Sequence, residues 1–298
     1  MPNILITGGS GLIGQHLTKL LISKGYQVAY LTRKINAQTQ GIKQFIWDVN
    51  KGEIDGEAIH WADSIIHLAG ESVGQRWTKK VQRKILNSRV DSTRLLVDQL
   101  KANNHKVKAF VSASAVGYYG ADTKNEILTE TSAPGKDFLA DIAINWEKAA
   151  DQAKAYTDRI VKIRIGIVLA DGGALAKMAA PIKLGAGSAL GSGNQWMSWI
   201  HIDDLCNMFL YAIENPVKGV FNGVGPRPAT NNEFTKILAK QLKRPLFMPN
   251  VPSFVLKLLL GKMAGLVLGG NKAMPTAFLN ENYTFKYEEL SEALKSLV

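Results

Sequence analysis

Cysteine is almost absent from this chain of 298 residues, which contains Cys206 and no other. A single thiol cannot form an internal disulfide, and lone cysteines are usually buried and inert. The sequence also lacks the Cys and His spacings that are typical of metal sites, so we expect no bound metal. Because no charged and apolar leader precedes the first predicted strand, we expect a reducing, cytoplasmic location.

Long uninterrupted apolar runs are missing as well. The most apolar segment, Val251 to Gly270, is broken by Lys257, Lys262 and several glycines, which argues against a membrane span. We expect amphipathic helices there, with an apolar face that roofs a ligand pocket. The sequence therefore predicts no membrane partner.

Positive charge is abundant but is not gathered into a stripe. The formal net charge is +11, yet the densest basic group (Lys79, Lys80, Arg83, Lys84 and Arg89) has helical spacing and no interleaved aromatic residues. We therefore expect no nucleic-acid partner, and a basic surface that favours a small anionic ligand. The sequence indicates no particular oligomeric state.

The N-terminal stretch from Asn3 to Gly14 is an apolar run that breaks into glycines and restarts with helical spacing. Gly8 suits a turn with unusual backbone angles, and Gly11 leaves room for a pyrophosphate at the first helical amides. Gly14 allows the helix to pack closely on the sheet. This context predicts a dinucleotide-binding loop, which also includes Ser10, Leu12 and Ile13.

Apolar runs alternate with helical segments along the chain. This alternation predicts a doubly wound α/β fold, with a parallel sheet covered by helices on both faces. Ligands of such sheets bind at the carboxyl ends of the strands, so the residues after each run are the candidates for function. The strand-like runs after the first are Tyr26–Leu31, Gln44–Trp47, Ser64–Ala69, Ala109–Ser112 and Ile160–Ile165.

The residues after the second run favour NADP as the cofactor. Thr32, Arg33 and Lys34 stand where NAD-binding proteins carry an acidic residue for the ribose 2′-hydroxyl. A guanidinium can instead bind a 2′-phosphate through charge-assisted hydrogen bonds. The alternative is that Arg33 and Lys34 are exposed loop cations without a ligand.

Two further strand ends are candidates for contact with the cofactor. Leu68, Ala69 and Gly70 provide a small backbone against which the adenosine ribose and pyrophosphate can lie, although such residues also suit core packing. Asp48 is positioned to receive the adenine amino group, or to cap the next turn.

Hydroxyl groups follow the fifth run. Ser114 is placed to polarise a carbonyl or hold an alcohol beside the nicotinamide, with Tyr118 or Tyr119 as a proton carrier. The sequence therefore predicts that the site takes a small-molecule substrate.

Several motifs along the chain form a recognisable set. They are the glycine spacing, Leu68–Gly70, Val116–Gly120, Trp146–Glu147, Arg164–Leu169, Gly191–Asp204, Met274–Pro275 and Phe285–Tyr287. Together they resemble the extended short-chain dehydrogenase/reductase superfamily. Within it, the chain is similar to the atypical, epimerase-like subfamily described as nucleoside-diphosphate-sugar epimerase-like or SulA-like. Asp204, at the end of the Gly191–Asp204 motif, is interpreted as the residue that opens the following helix.

The resemblance implies a Rossmann sheet of about seven strands and a smaller C-terminal substrate lobe. Residues 1–170 would form the NAD(P)-binding domain, with a strand and a helix returning around 199–225. Residues 171–298 would form mainly the substrate lobe, including a small C-terminal domain at about 248–295.

The resemblance also assigns two cofactor contacts. Arg89 stands where the extended enzymes place an asparagine near the nicotinamide end, and its charge can reach a phosphate; otherwise it is a surface cation. Ile167 stands where the backbone passes the nicotinamide ring, although an apolar residue there also suits a core.

One departure from the family pattern leaves more than one hypothesis about catalysis open. If Glu147 aligns with the acidic residue after the usual Tyr-x-x-x-Lys pair, Leu139 and Ala143 occupy the tyrosine and lysine positions, and neither can move a proton. In the favoured hypothesis the protein is an NADP-dependent oxidoreductase for a small carbonyl or alcohol, in which Ser114, a tyrosine and Glu147 as a base do the chemistry.

Two alternatives remain. The protein can bind NADP without rapid turnover, as a regulatory or scaffold module, because an unassisted tyrosine transfers protons slowly near neutrality. It can also be a nucleotide-sugar epimerase, but Met197 and Ser198 lie where those enzymes tend to carry a diphosphate-binding arginine.

Overall fold

The computed structural model describes residues 1–36, 39 and 41–298, and its centre is an eight-stranded sheet with the order β12-β8-β6-β5-β1-β2-β3-β4. Seven strands are parallel, and β4 is a two-residue antiparallel strand at one edge. The strands of this sheet are β1 Asn3–Thr7, β2 Gln27–Thr32, β3 Lys43–Asp48, β4 Glu53–Ile54, β5 Ser64–His67, β6 Ala109–Ala115, β8 Ile160–Ile165 and β12 Gly219–Gly223.

The strand order changes direction between β1 and β5. From β1 the chain adds β2 and β3 on one side, and it then returns to add β5, β6, β8 and β12 on the other. This topology confirms the predicted doubly wound Rossmann fold. A crevice for ligands forms outside the carboxyl ends of β1 and β5, because the connections leave these strands in opposite directions.

Helices cover both faces of the sheet. Side chains of β1 alternate between the two cores: Ile4 and Ile6 face one helical layer, and Leu5 faces the other. The helices are α1 Leu12–Ser23, α2 Gly56–Trp61, α3 Lys79–Ala102, α4 Phe138–Asp151, α5 Gly173–Lys183, α6 Ile202–Glu214, α7 Asn231–Gln241, α8 Ser253–Leu260, α9 Ala264–Leu268, α10 Thr276–Asn280 and α11 Leu290–Lys295.

A third apolar core lies among α5, α7 and α11. Leu175, Phe234 and Leu294 are buried in it together with Trp199. The remaining strands form three small pairs beside the main sheet. They are β7 Ile127–Leu128 with β14 Lys272–Ala273, β9 Ile167–Leu169 with β11 Trp199–His201, and β10 Trp196–Met197 with β13 Ala229–Thr230.

Asp204 does not open a helix, which corrects the interpretation of its motif. The N-cap of α6 is His201, whose side chain accepts a hydrogen bond from the Asp203 amide. Asp204 instead accepts hydrogen bonds from the amides of Lys286 (2.7 Å) and Tyr287 (3.0 Å). This buried carboxylate therefore anchors the C-terminal segment to α6.

Within the described residues, no helix combines the length and the apolar character that crossing a bilayer requires.

Candidate functional site

The glycine loop lies at the point where the strand order changes direction. Gly8 has a φ of +72°, and a Cβ there would lie 3.0 Å from the amide nitrogen of Ala69. A Cβ on Gly14 would lie 2.5 Å from the carbonyl oxygen of Gly8. The loop, the start of α1 and the Leu68–Gly70 strand end are therefore in contact, with no room for larger side chains.

The first turn of α1 is open to an anionic ligand. Its N-cap is Gly11, which has no side chain to accept the first amide hydrogens, and the first turn contains no acidic residue. Ser10 and Gly11 are exposed, while Leu12 and Ile13 are half-buried. The positive end of the helix dipole thus has no carboxylate of its own first turn to neutralise it.

A buried histidine connects β1, β5 and α3. The Thr7 hydroxyl lies within hydrogen-bond distance of Nδ1 of His67 (2.7 Å), and Nε2 lies 3.2 Å from the Ser92 hydroxyl. Burial lowers the pKa of His67 to about 3, so the imidazole is neutral and serves as a hydrogen-bonded link. The sequence analysis missed this residue because His67 reads only as part of a strand.

Arg89 on α3 is a half-buried cation with no carboxylate partner among the described residues. Its Nη1 donates to the carbonyl oxygens of Glu71 (2.9 Å) and Ile85 (3.0 Å), and its guanidinium lies 5.1 Å from the ring centre of Trp146. Burial lowers its pKa to about 10. A Cβ on Gly70 would lie 2.9 Å from its Cζ, so Arg89 borders the β5 end of the crevice.

The other predicted cofactor contacts lie at neighbouring strand ends. Arg33 and Lys34 follow β2 and are exposed, and Arg33 forms no hydrogen bond or ion pair with any described residue. Thr32 donates to the carbonyl oxygen of Lys34 (2.9 Å). Asp48 accepts from the amides of the turn that follows β3, at 3.0 and 3.3 Å. Half-buried Ile167 begins β9.

Three side chains form a buried chain of hydrogen bonds beside the carboxyl end of β6. Ser114 donates to Oε1 of Glu147 (2.7 Å), and Arg164 binds both carboxylate oxygens of Glu147, at 2.8 and 2.9 Å. Ser114 and Arg164 are register partners in the sheet. Burial would lower the pKa of Arg164, but the hydrogen bonds and charge of Glu147 outweigh burial and raise it.

The structure separates the roles of the two adjacent tyrosines. The Tyr119 hydroxyl lies within donating distance of Asn222 Oδ1 (2.7 Å) and the Thr129 carbonyl oxygen (2.9 Å), and it accepts from Arg164 (3.0 Å). Burial raises the pKa of Tyr119, although Arg164 opposes this shift. Its hydrogen-bonding capacity is therefore used within the fold.

Tyr118 is half-buried, and its hydroxyl has no hydrogen-bond partner among the residues that the structure describes. Its ring lies under the guanidinium of Arg164, with 3.3 Å from Cζ to the ring centre. This contact holds the ring while it leaves the hydroxyl free for a ligand.

Leu139 and Ala143, which the resemblance places at the usual tyrosine and lysine positions if Glu147 aligns, are packing residues. Leu139 on α4 borders the turn that carries Tyr118, since a Cβ on Gly117 would lie 3.2 Å from its Cβ. Ala143, one turn further along α4, is buried. These positions therefore hold no group that can move a proton.

Known protein families and relatives match this chain along nearly its whole length. The NAD dependent epimerase/dehydratase family matches residues 4–225, and a domain of unknown function, DUF1731, matches residues 251–297. Epimerase family protein YfhF of Bacillus subtilis is 35% identical over 99% of this chain and 98% of its own length.

Solved structures show the same likeness. The crystal structure of human epimerase family protein SDR39U1 (isoform 2) with NADPH has a TM-score of 0.87 and 34% identity, covering 99% of this chain and 98% of that chain. UDP-N-acetylglucosamine 4-epimerase from Bacillus cereus shares the fold, with a TM-score of 0.78 and 17% identity over 100% of this chain and 98% of that one.

Proposed function

Because the chain belongs to the NAD dependent epimerase/dehydratase family, we propose that it binds NADP(H) and transfers hydride between this cofactor and a small carbonyl or alcohol. The observation that carries the proposal is a set of positive groups around the β1/β5 crevice that form no ion pair within the described part of the chain. These groups are the α1 N-terminus, Arg89 and Arg33.

The crevice fits the diphosphate part of such a cofactor. The uncapped amides of α1 suit a pyrophosphate. Nε and Nη2 of half-buried Arg89 have no acceptor among the described residues, and neither does the buried indole N–H of Trp146. A buried donor normally has a partner, so the Trp146 N–H suits a ligand oxygen, and the two Arg89 nitrogens are available to the same ligand.

Arg33 supports NADP over NAD. It follows β2 with a free guanidinium, and no acidic side chain precedes it to receive a ribose 2′-hydroxyl. The human relative SDR39U1 was crystallised with NADPH, which supports the same assignment.

The two hydroxyl groups beside β6, those of Tyr118 and Ser114, have different roles in proton transfer. A bound NADPH supplies the hydride that reduces a carbonyl carbon. Tyr118, whose hydroxyl is free, donates a proton to the carbonyl oxygen and regains one from solvent. Ser114 directs its own hydrogen to Glu147 and offers its lone pairs to the hydrogen of an alcohol.

A second candidate function is NADP binding without rapid turnover. It is favoured by the Leu139 and Ala143 positions and by the ion pair that engages both oxygens of Glu147. An epimerase of nucleotide sugars is compatible with the family but gains no support from residues 197 and 198. Met197 is buried, and Ser198 donates to the Asn271 carbonyl oxygen (2.7 Å).

The oxidation of NADPH in the presence of a panel of small aldehydes and ketones tests the proposal. We expect turnover with NADPH that exceeds turnover with NADH. Tyr118→Phe should lower kcat by about 10²- to 10⁴-fold, the usual contribution of a proton donor, without weakening NADPH binding.

Tyr118→Phe is compared with Ile46→Val, a conservative change at an exposed position of β3. Binding of NADPH without turnover would favour the regulatory module. An unchanged kcat in Tyr118→Phe would show that another group donates the proton.

A further inference from the structure

The segment from Lys243 to Lys262, here called the α8 segment, combines exposed apolar side chains with positive charge. On α8 itself, Phe254, Leu258 and Leu259 are 72%, 80% and 68% exposed. Phe247 and Met248, just before α8, are 78% and 57% exposed. Large apolar residues exposed together in this way mark an interaction surface.

These side chains do not line the ligand pocket, contrary to the roof expected from the sequence. A side chain that lines a cleft is shielded by the opposite wall, whereas Phe254 and Leu258 are almost fully open to solvent. They are four residues apart, so they share one face of α8, and Leu256 is the residue that packs inward. The side of α8 that carries Phe254 and Leu258 therefore faces solvent.

The next part of the chain is held firmly against the body of the protein. Met263 packs against a buried cluster formed by Trp77, Ile85 and Ile142. A Cβ on Gly191 would lie 2.8 Å from Leu268, so α9 is also in close contact with its surroundings. The apolar side chains of α8 are thus presented on a fixed support.

In the sequence on either side of α8, all the charged side chains are basic. From Leu242 to Asn280 the sequence contains no Asp or Glu, although the whole chain contains 25 acidic residues. The basic residues in this stretch are Lys243, Arg244, Lys257, Lys262 and Lys272. An occupant of this surface must therefore accept both apolar contact and positive charge.

A second copy of this chain does not meet that requirement. A symmetric dimer through α8 would bring the same basic residues of both copies together, and each chain carries a formal net charge of +11. A short helix with protruding Phe and Leu side chains and flanking lysines is instead the pattern of helices that lie in the plane of an anionic membrane.

We infer that the α8 segment binds the surface of membranes that contain anionic phospholipids. Phe254, Leu258 and Leu259 enter the boundary between headgroups and acyl chains, and Lys257 and Lys262 contact lipid phosphates. The sequence predicts no membrane partner because no segment suits a membrane span, but binding at a surface needs no membrane-spanning helix. None of the residues placed at the proposed hydride-transfer site belongs to the α8 segment.

Flotation with vesicles tests this inference. The full-length protein should float with phosphatidylcholine vesicles that contain phosphatidylglycerol, and much less with phosphatidylcholine alone. The double variant Phe254→Glu and Leu258→Glu should lower the partition coefficient by more than about tenfold. Lys257→Gln should lower it about fivefold, and added salt should weaken binding by the wild type.

The control is Ile22→Glu, which introduces one such negative charge at an exposed apolar position on α1. It should leave vesicle binding nearly unchanged. All variants should keep the wild-type melting temperature, because the substituted side chains are exposed. Equal flotation with both kinds of vesicle, no flotation of the wild type, or a dimer that the double variant dissociates would each overturn the inference.

Discussion

At the scale of single residues, two guanidinium groups at the crevice form no ion pair with a described residue, although the Glu71 carboxylate interacts electrostatically with both. Arg164, by contrast, is paired with Glu147 and accepted by the Tyr119 hydroxyl. Burying a cation without an ion pair is unfavourable, so half-buried Arg89 indicates a ligand, while exposed Arg33 is solvated and offers its charge to one.

Arg33→Gln tests the assignment of the 2′-phosphate contact. We expect NADPH affinity to fall about 10- to 100-fold, because charge-assisted hydrogen bonds of this kind contribute about 1.5–3 kcal/mol. NADH affinity should not change. Both are read from ligand-dependent melting temperatures, with Lys24→Gln beyond the end of α1 as the control. An equal loss of affinity for NADH and NADPH would show that Arg33 does not bind the 2′-phosphate.

At the scale of elements, the glycine loop and α1 behave as one packed unit. Gly14 on α1 has no space for a Cβ, since the Gly8 oxygen and the Gly9 Cα would lie 2.5 and 2.6 Å away. A side chain there must push α1 away from the end of β1. The same displacement would move the amides that face the crevice.

Gly14→Ala should therefore cost about 1–3 kcal/mol in the free energy of unfolding, despite the better helix propensity of alanine. It should also weaken NADPH binding. Urea titration measures the first effect and thermal shift the second. Gly265→Ala on α9 is the control, because a Cβ there meets nothing within 4 Å. Wild-type stability of Gly14→Ala would show that the helix can shift freely.

At the scale of the whole molecule, a few polar contacts connect the C-terminal segment to the Rossmann sheet. Asn222 on β12 donates to the Met274 carbonyl oxygen, and Asn271 donates to the carbonyl oxygens of Val116 and Gly120. The Asp204 carboxylate accepts hydrogen bonds from two backbone amides of the segment before α11. Burial raises the pKa of Asp204, and these two hydrogen bonds oppose the shift.

Asp204→Asn should loosen the C-terminal segment. The amide side chain can accept from one of the two backbone N–H groups but presents a donor to the other, so about 1.5–3 kcal/mol is lost. Faster trypsin cleavage after Lys286 is the expected readout. Asp203→Asn, which removes only an exposed ion pair with Lys286, should have little effect. Equal cleavage of both variants would contradict the anchoring role of Asp204.

The sequence by itself determined the fold class and the glycine turn between β1 and α1, because both depend on local patterns. Short apolar runs that alternate with helical segments predict a parallel sheet, and the positions of Gly8 and Gly14 predict a tight strand-to-helix turn. The observed β8, Ile160–Ile165, has the predicted bounds. The short antiparallel β4 escaped prediction because two residues carry no periodicity.

Only the tertiary structure decided which polar groups have partners and which apolar groups stay exposed. Tyr118 and Tyr119 are equivalent in sequence, but long-range contacts with Asn222 and Arg164 occupy one hydroxyl and leave the other free. Likewise, the apolar run around α8 predicts a covered helix, yet Phe254 remains open to solvent. Burial and hydrogen bonding depend on contacts between residues that are distant along the chain. A local sequence pattern carries no information about such contacts.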